Sequence, residues 1–161
     1  MPPDPEIFAL AQQVGERMRP LGQWLAVAES CTAGLLGGAL TDVPGSSAYF
    51  LGGVISYADR VKSEQLRVSE ETLRRYGAVS QQTAAAMALG VRQLLGADIG
   101  LSITGVAGPG AEEAKPAGLT FIGVAAGTLT THHFQWTGDR WNNRRQSVRA
   151  ALELLVQALK H

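Results

Sequence analysis

Ser30 stands where an apolar run, Leu25 to Ala28, gives way to a segment of small residues that can form a helix. A strand that turns directly into a helix leaves several backbone N–H groups unpaired, and these groups and the helix dipole favour an anion. A hydroxyl at such a turn lies beside donors that could hold an oxyanion. The pattern therefore indicates a serine nucleophile.

A serine hydroxyl needs a base, and Lys62 is the candidate because it follows the strand ending at Ser56-Tyr57 by about one helical turn. An unperturbed lysine has a pKa of about 10.4, so Lys62 could accept a proton at neutral pH only if burial lowered its pKa. In the alternative interpretation Ser30 only caps a helix and Lys62 is a solvated helix residue. Spacing alone leaves both interpretations open.

Cys31 is a rival nucleophile, because a helix N-terminus would lower its pKa, but it is equally a small residue that could simply be buried. The histidines, His132, His133 and His161, lack metal-ligand spacing, since adjacent residues of a strand point to opposite faces. We expect no metal site.

Two segments could hold a phosphate. The glycine-rich loop from Thr104 to Gly110 would expose backbone N–H groups to an anion, although a plain turn fits the pattern as well. Arg140, Arg144 and Arg145 could grip a phosphate, or could form a solvated basic helix face. Glu112 and Glu113 and then Lys115-Pro116 prolong the glycine-rich loop, and we expect that part to be mobile.

The elements that must position these residues alternate between strand and helix. Helices are predicted from Asp4-Pro5-Glu6 to Pro20, from Cys31 or Thr32 to Thr41, from Ala58, from Ser69 to Gly77, from Ser80 to Gly96 and over 140–160; strands are predicted over 24–28, 52–57, 99–103, 118–126 and 130–136. This order predicts an α/β fold, a three-layer α/β/α sandwich with a mixed, mostly parallel sheet. Three strand ends carrying polar groups would then meet at one edge of the sheet.

The bulk properties narrow the class of protein. The chain has 161 residues, a formal net charge of zero, one cysteine and no apolar run long enough to cross a membrane. We expect one domain over 1–161, a cytoplasmic location, no internal disulfide, and no nucleic-acid or membrane partner. Small α/β enzymes are often symmetric, so a homo-oligomer, a dimer by preference, is expected.

Several short blocks occur together in a fixed order. They are Glu29-Ser30-Cys31-Thr32-Ala33-Gly34, Val43-Pro44-Gly45-Ser46-Ser47, Gly53-Val54-Ile55-Ser56-Tyr57 with Lys62, Gly77-Ala78-Val79-Ser80, Thr104 to Gly110, Lys115-Pro116-Ala117-Gly118 and Gly138-Asp139-Arg140. Together they resemble the CinA C-terminal domain, the bacterial nicotinamide mononucleotide (NMN) amidase family. The resemblance extends from Ile7 to Leu159.

This resemblance implies hydrolysis of the NMN carboxamide to nicotinate mononucleotide and ammonia in NAD salvage, without a metal or other cofactor. It implies Ser30 as nucleophile, Lys62 as its base and Tyr57 as a supporting catalytic residue. It implies substrate contacts at Thr32, Gly34, Ser47, Thr104, Gly105 and Arg144. Backbone N–H groups at the start of the second helix would hold the oxyanion.

The chain also departs from the family pattern, at Ala111 after Gly-Pro-Gly, at Ala58-Asp59 in place of the commoner Ser-Asn, and at Asn143 in a usually aliphatic position. Other functions therefore stay open. One is a non-catalytic nucleotide-binding or regulatory module, another is an amidase for a different nucleotide or small amide, and a third is a purely structural partner protein.

Overall fold

A computed structural model describes residues 2–160. Its helices are α1 (Pro5–Leu21), α2 (Leu35–Thr41), α3 (Asp59–Leu66), α4 (Glu70–Tyr76), α5 (Gln81–Leu95) and α6 (Arg140–Ala158), and its strands are β1 (Leu25–Glu29), β2 (Phe50–Ile55), β3 (Ile99–Gly105), β4 (Leu119–Ala125) and β5 (Leu129–Gln135). A short 3-10 helix, Ser46–Ala48, precedes β2. Within 2–160, no helix is both long and apolar enough to cross a lipid bilayer.

The strands form one sheet in the order β2-β1-β3-β4-β5. β1 pairs in parallel with β2 and β3, whereas β4 pairs antiparallel with both β3 and β5, so β4 alone runs against the other strands of this sheet. Helices α1, α2 and α6 pack together on one face, and α3 and α4 pack on α5 over the other. The predicted three-layer sandwich with a mixed, mostly parallel sheet is confirmed.

Alternation along β1 divides the core between the two faces. Leu25 and Val27 belong to the large cluster beneath α1, α2 and α6, whereas Ala26 and Ala28 meet the smaller cluster beneath α3 and α5. On that second face the sheet carries small residues so that α5 can lie close to it. A Cβ atom at Gly100 would be 2.1 Å from the Ala88 carbonyl oxygen.

Local signals located most elements correctly. Asp4 caps α1 by accepting hydrogen bonds from the Glu6 and Ile7 amides, and β4 and β5 form the predicted hairpin. α1 passes Pro20 and ends at Leu21, where Gly22 adopts a left-handed conformation. The predicted start of α2 was wrong: residues 31–34 form a turn, with Gly34 at φ 101°, and the helix begins at Leu35.

Candidate active site

The carboxyl ends of β1, β2 and β3 surround a cleft of about 260 Å³. Parallel neighbouring strands bring their carboxyl ends to one edge of a sheet, and ligands of α/β proteins bind there. The residues around the cleft come from all three strand ends and from two later loops: Ser30, Cys31, Tyr57, Asp59, Lys62, Ala78, Val79, Thr104, Gly105, Ala107, Glu112, Glu113 and Arg140.

Ser30 and Lys62 meet inside this cleft. The Ser30 amide donates to the Ile103 carbonyl at 3.0 Å, which ties the residue to β3 just beyond the end of β1. Lys62 lies in α3 and is only 1% exposed. Its Nζ is 3.0 Å from Ser30 Oγ, which is hydrogen-bonding distance for a nucleophile and its base.

The other contacts of Lys62 suit an uncharged amine. Nζ donates to the carbonyl oxygens of Ser56 at 2.8 Å and Tyr57 at 3.0 Å. A neutral amine has two N–H groups and one lone pair, so these carbonyls use both N–H groups and leave the lone pair for the Ser30 hydroxyl proton. Burial lowers the pKa of Lys62, and the Asp59 carboxylate, 3.9 Å away, opposes that shift.

Cys31 is a poor rival to Ser30. Its side chain is buried at the edge of the cleft, and burial raises the pKa of the thiol to about 11. The thiolate is the reactive form, so Cys31 stays protonated and unreactive at neutral pH.

The expected oxyanion donors at the start of α2 are already occupied. The buried Glu29 carboxylate accepts from the Leu36 and Gly37 amides, each at 2.9 Å, and from the Thr32 hydroxyl at 2.7 Å. The Leu35 amide donates to the Thr32 carbonyl. An internal carboxylate therefore fills the anion site of α2, and the prediction that these amides face the reaction was wrong.

Other amides remain near the nucleophile. The Cys31 and Thr32 N–H groups donate to no other residue within 2–160. The Gly105 N–H points away from β4, because its neighbour Val106 is the residue whose amide bonds to Leu119. The turn after Ser30 and the end of β3 therefore supply the backbone donors that the start of α2 does not.

Thr32 and Thr104 use their hydroxyl groups within the protein. Thr32 is fully buried and bonded to Glu29, so its side chain does not reach the cleft. Thr104 lines the cleft, and its hydroxyl donates to the Ala78 carbonyl at 2.8 Å, which holds the wall before α5. Tyr57 is 58% exposed, and only its backbone carbonyl contacts Lys62.

The three candidate arginines of α6 have different partners. Arg144 donates to the Cys31 carbonyl at 3.0 Å and lies outside the lining of the cleft. Arg145 forms an ion pair with Asp4, while Glu6 lies 2.9 Å from its Nη2. Arg140 alone among the three lines the cleft, where it donates to the Gly108 carbonyl at 2.6 Å. The expected substrate contact of Arg144 stays a prediction, since its guanidinium engages the nucleophile turn in this structure.

Ser47 and Gly34 also lie elsewhere. Ser47 is exposed at the amino end of β2, and the six residues of that strand separate it from the cleft by roughly 20 Å. Gly34 caps α2, where a Cβ atom would meet the Ile55 side chain at 3.3 Å. Neither residue lines this cleft.

The charged loop after the glycines is docked rather than free. Glu113 accepts from the amides of Ala78 at 2.7 Å and Val79 at 3.0 Å, and Lys115 donates to the Tyr76 carbonyl at 2.7 Å. Burial alone would raise the pKa of Glu113, but the two amides and Lys115 outweigh it and hold that pKa below its ordinary value. The structure thus shows this loop as a fixed wall of the cleft.

Sequence reasoning missed Glu29, Asp59 and Glu113 as determinants of the site. For Glu29 the sequence carries one signal, an acidic residue at the end of an otherwise apolar strand. The partners of Asp59 and Glu113 depend on tertiary folding, so the sequence gives no signal for them. Within 2–160, no group of three or more His, Cys, Asp or Glu side chains could hold a metal ion. His132 contacts Thr130, and His161 lies outside the described residues.

Comparisons with known proteins agree on one family. The sequence model of one protein family, the CinA C-terminal domain, matches residues 7–159. A protein from Halothermothrix orenii named for competence-damage induction is 48% identical over 155 residues, and a CinA-like protein from Nostoc is 47% identical over 164. Each match covers 94% of this chain and 38% or 39% of the relative, so the chain spans less than half the length of these curated relatives.

Solved structures share the fold over their whole length. The competence/damage inducible protein CihA from Agrobacterium tumefaciens superposes with a TM-score of 0.95 at 40% identity and full coverage of both chains. A CinA superfamily protein from Klebsiella pneumoniae gives a TM-score of 0.92 at 35% identity, covering 95% of this chain and 97% of its own. The chain therefore belongs to the CinA C-terminal domain family.

Proposed function

We propose that this protein is a nicotinamide-nucleotide amidase, which hydrolyses the carboxamide of NMN to nicotinate mononucleotide and ammonia. The observation that carries the proposal is the 3.0 Å contact between Ser30 Oγ and the Nζ of a buried lysine. Family membership supports the choice of substrate, although the names of the relatives state no activity. The protein works without a metal or other cofactor and, as we propose, as a homodimer.

In the first half of the reaction Ser30 Oγ attacks the carboxamide carbon, and neutral Lys62 takes the hydroxyl proton. The Cys31 and Thr32 amides hold the oxyanion, as does the residue after the nucleophile in other strand–turn–helix hydrolases. Protonated Lys62 then gives its proton to the amide nitrogen, the C–N bond breaks, and ammonia leaves an ester on Ser30.

In the second half, Lys62 is neutral again and takes a proton from a water molecule that attacks the ester carbon. The ester bond breaks, the proton returns to Ser30 Oγ, and nicotinate mononucleotide leaves. The positive pyridinium ring withdraws electrons from the carbonyl carbon and so assists both attacks. Arg140 and the Gly105 amide are the groups of the cleft suited to the 5′-phosphate.

The test measures ammonia release from NMN by the wild type and by Ser30→Ala and Lys62→Ala, with Ser63→Ala as control. Ser63 is half-buried on α3 one residue after the base, and its hydroxyl only contacts the Arg60 carbonyl. We expect both dyad variants to lose at least about 10³-fold in rate and the control to keep it. Full activity in either dyad variant would remove this mechanism.

A second candidate function is an amidase for another nucleotide. The position of Arg144 outside the cleft supports this candidate, because Arg144 was an expected contact of NMN. A panel of nicotinamide, its riboside and NMN at matched concentration separates the two. An NMN enzyme should reject nicotinamide, which has no phosphate to bind Arg140. Binding of NMN without turnover would instead indicate a regulatory module.

A further inference from the structure

Asp59 is an acidic group beside the proposed dyad that the mechanism does not use. It is the first residue of α3 and lines the cleft with Ser30. Its Oδ1 is 3.9 Å from Lys62 Nζ, which in turn is 3.0 Å from Ser30 Oγ. Its carboxylate is therefore no more than about 7 Å from the nucleophile, the sum of those two distances.

The Asp59 side chain contributes little to the stability of the fold. Its side chain is 61% exposed and forms no hydrogen bond within 2–160, and α3 has no side-chain cap. A first-turn acid favours the helix dipole, but only by a few tenths of a kcal/mol to about one. Against this, its charge favours protonated Lys62 and so works against the base.

The other charged groups of the cleft are engaged or farther along its loops. Glu113 is bound by two backbone amides and Lys115, and Arg140 donates to the Gly108 carbonyl. Glu112 lies on the same loop as Glu113, where its backbone pairs with Lys115. Asp59 is thus the carboxylate of the cleft that lies beside the dyad and lacks a hydrogen-bonding partner.

We propose that Asp59 selects substrates with a positive charge on the ring that bears the amide, by pairing with that charge while the carboxamide lies over Ser30 Oγ. The inference rests on the proposed function and adds the residue that recognises the charge of an N-substituted pyridinium carboxamide such as NMN. In such a ring the charged nitrogen is three bonds from the carboxamide carbon. With that carbon about 3–3.5 Å from Ser30 Oγ, the ring nitrogen stays inside the cleft that Ser30 and Asp59 both line, where the exposed Asp59 carboxylate can pair with its charge.

The test measures binding rather than turnover. In a Ser30→Ala background at pH 8, calorimetry gives the Kd of NMN and of its dihydro form, which has the same ribose and phosphate but a neutral ring. Each is measured with Asp59 intact, with Asp59→Asn, with Asp59→Glu, and with Glu64→Gln as control. Glu64 is an exposed acid of the same helix, paired only with Arg60.

We expect Asp59→Asn to weaken NMN binding about tenfold, to leave the dihydro form within about twofold, and to be partly restored by Asp59→Glu. Glu64→Gln should change neither ligand by more than about twofold. The effect on Lys62 has the opposite sign, because losing Asp59 makes Lys62 less charged and would strengthen binding of a cation. A weaker NMN complex therefore reports the carboxylate itself.

Equal changes for both ligands, no change for either, or failure of both to bind would overturn the inference. Its failure is separable from that of the proposed function. If the wild type releases no ammonia but the charge selection by Asp59 persists, only the amidase activity is wrong. If ammonia is released but Asp59→Asn leaves the ratio of the two Kd values unchanged, only the inference is wrong.

Discussion

A buried ionisable residue lies on each side of Ser30, and the two residues have opposite kinds of hydrogen-bonding partners. On the α2 side, Glu29 is 2% exposed, and three donors surround its carboxylate. On the α3 side, Lys62 is 1% exposed, but two carbonyls and a hydroxyl are its hydrogen-bonding partners. Glu29 thus has the partners of an ionised carboxylate, whereas Lys62 has only uncharged hydrogen-bonding partners, and the nearest carboxylate, Asp59, is 3.9 Å away.

This difference separates a structural side from a chemical side. Glu29 fixes the turn of residues 30–34 by joining it to the first amides of α2, so it positions Ser30 without contacting the cleft. Lys62 Nζ is at hydrogen-bonding distance from the nucleophile, and burial lowers its pKa, which favours the neutral form that can accept a proton. Substitutions on the two sides should therefore fail in different ways, one in turnover and the other in stability.

The largest effect is expected for Lys62→Met, which replaces the amine with an apolar side chain of similar length. Ammonia release from NMN should fall by about 10³-fold or more, because the base is gone. The melting temperature should fall only modestly, because Met needs no partner in this buried position but leaves the Ser56 and Tyr57 carbonyls without their donor. Ammonia-release assays measure the turnover, and thermal unfolding measures the melting temperature. A strong loss of stability would contradict the division between a structural Glu29 and a chemical Lys62.

Glu29→Gln should show the reverse pattern. The amide cannot accept from all three donors, and a buried backbone N–H left without its charged partner costs about 3 kcal/mol in the free energy of unfolding. The folded fraction should retain part of its turnover, reduced about tenfold through misalignment of Ser30. Glu16→Gln on the exposed side of α1 is the control for removing an acid.

The pH dependence follows from the lowered pKa of Lys62. The folded protein binds fewer protons there than the unfolded chain, so the unfolding free energy should rise with pH from the folded pKa up to the ordinary lysine pKa of 10.5. Lys62→Met should remove that rise, which denaturation at several pH values would detect.

The acid limb of kcat/KM should report the same lysine in the free enzyme. Asp59→Asn should move this limb to lower pH, because the Asp59 carboxylate raises the pKa of Lys62. Rate profiles from pH 6 to 10, with Glu64→Gln as control, measure the shift. A limb that stays in place in Asp59→Asn would show that the two groups are not coupled.

The smallest effect is expected for Cys31→Ala. With a thiol pKa of about 11, Cys31 contributes no thiolate at neutral pH, so turnover should fall less than about fivefold. Alkylation of the wild type by iodoacetamide at pH 7 should be slow for the same reason. Rapid alkylation that abolishes turnover would restore Cys31 as a rival nucleophile.

The sequence allowed the fold and the meeting of Ser30 with Lys62 to be predicted, because strand direction alone brings those strand ends to one edge. It misplaced Ser47, which lies at the opposite end of β2, because a resemblance in sequence does not say which edge of the sheet a loop occupies. It did not predict the hydrogen bond of Arg144 to the Cys31 carbonyl, which depends on packing between residues 113 positions apart. The hydrogen-bonding partners of long polar side chains depend on how the helices and strands pack, so they cannot be predicted from local sequence.

Helix α6 carries consecutive contacts to separate parts of the site. Arg140 faces the cleft, the buried Asn143 donates to the Ala107 carbonyl and accepts from the Gly138 amide, and Arg144 holds the Cys31 carbonyl. A shift of α6 would therefore move Arg140 and the turn that carries Ser30 together. Divergence toward new ligands should therefore spare α6, because one substitution there would disturb both the cleft and the reacting serine.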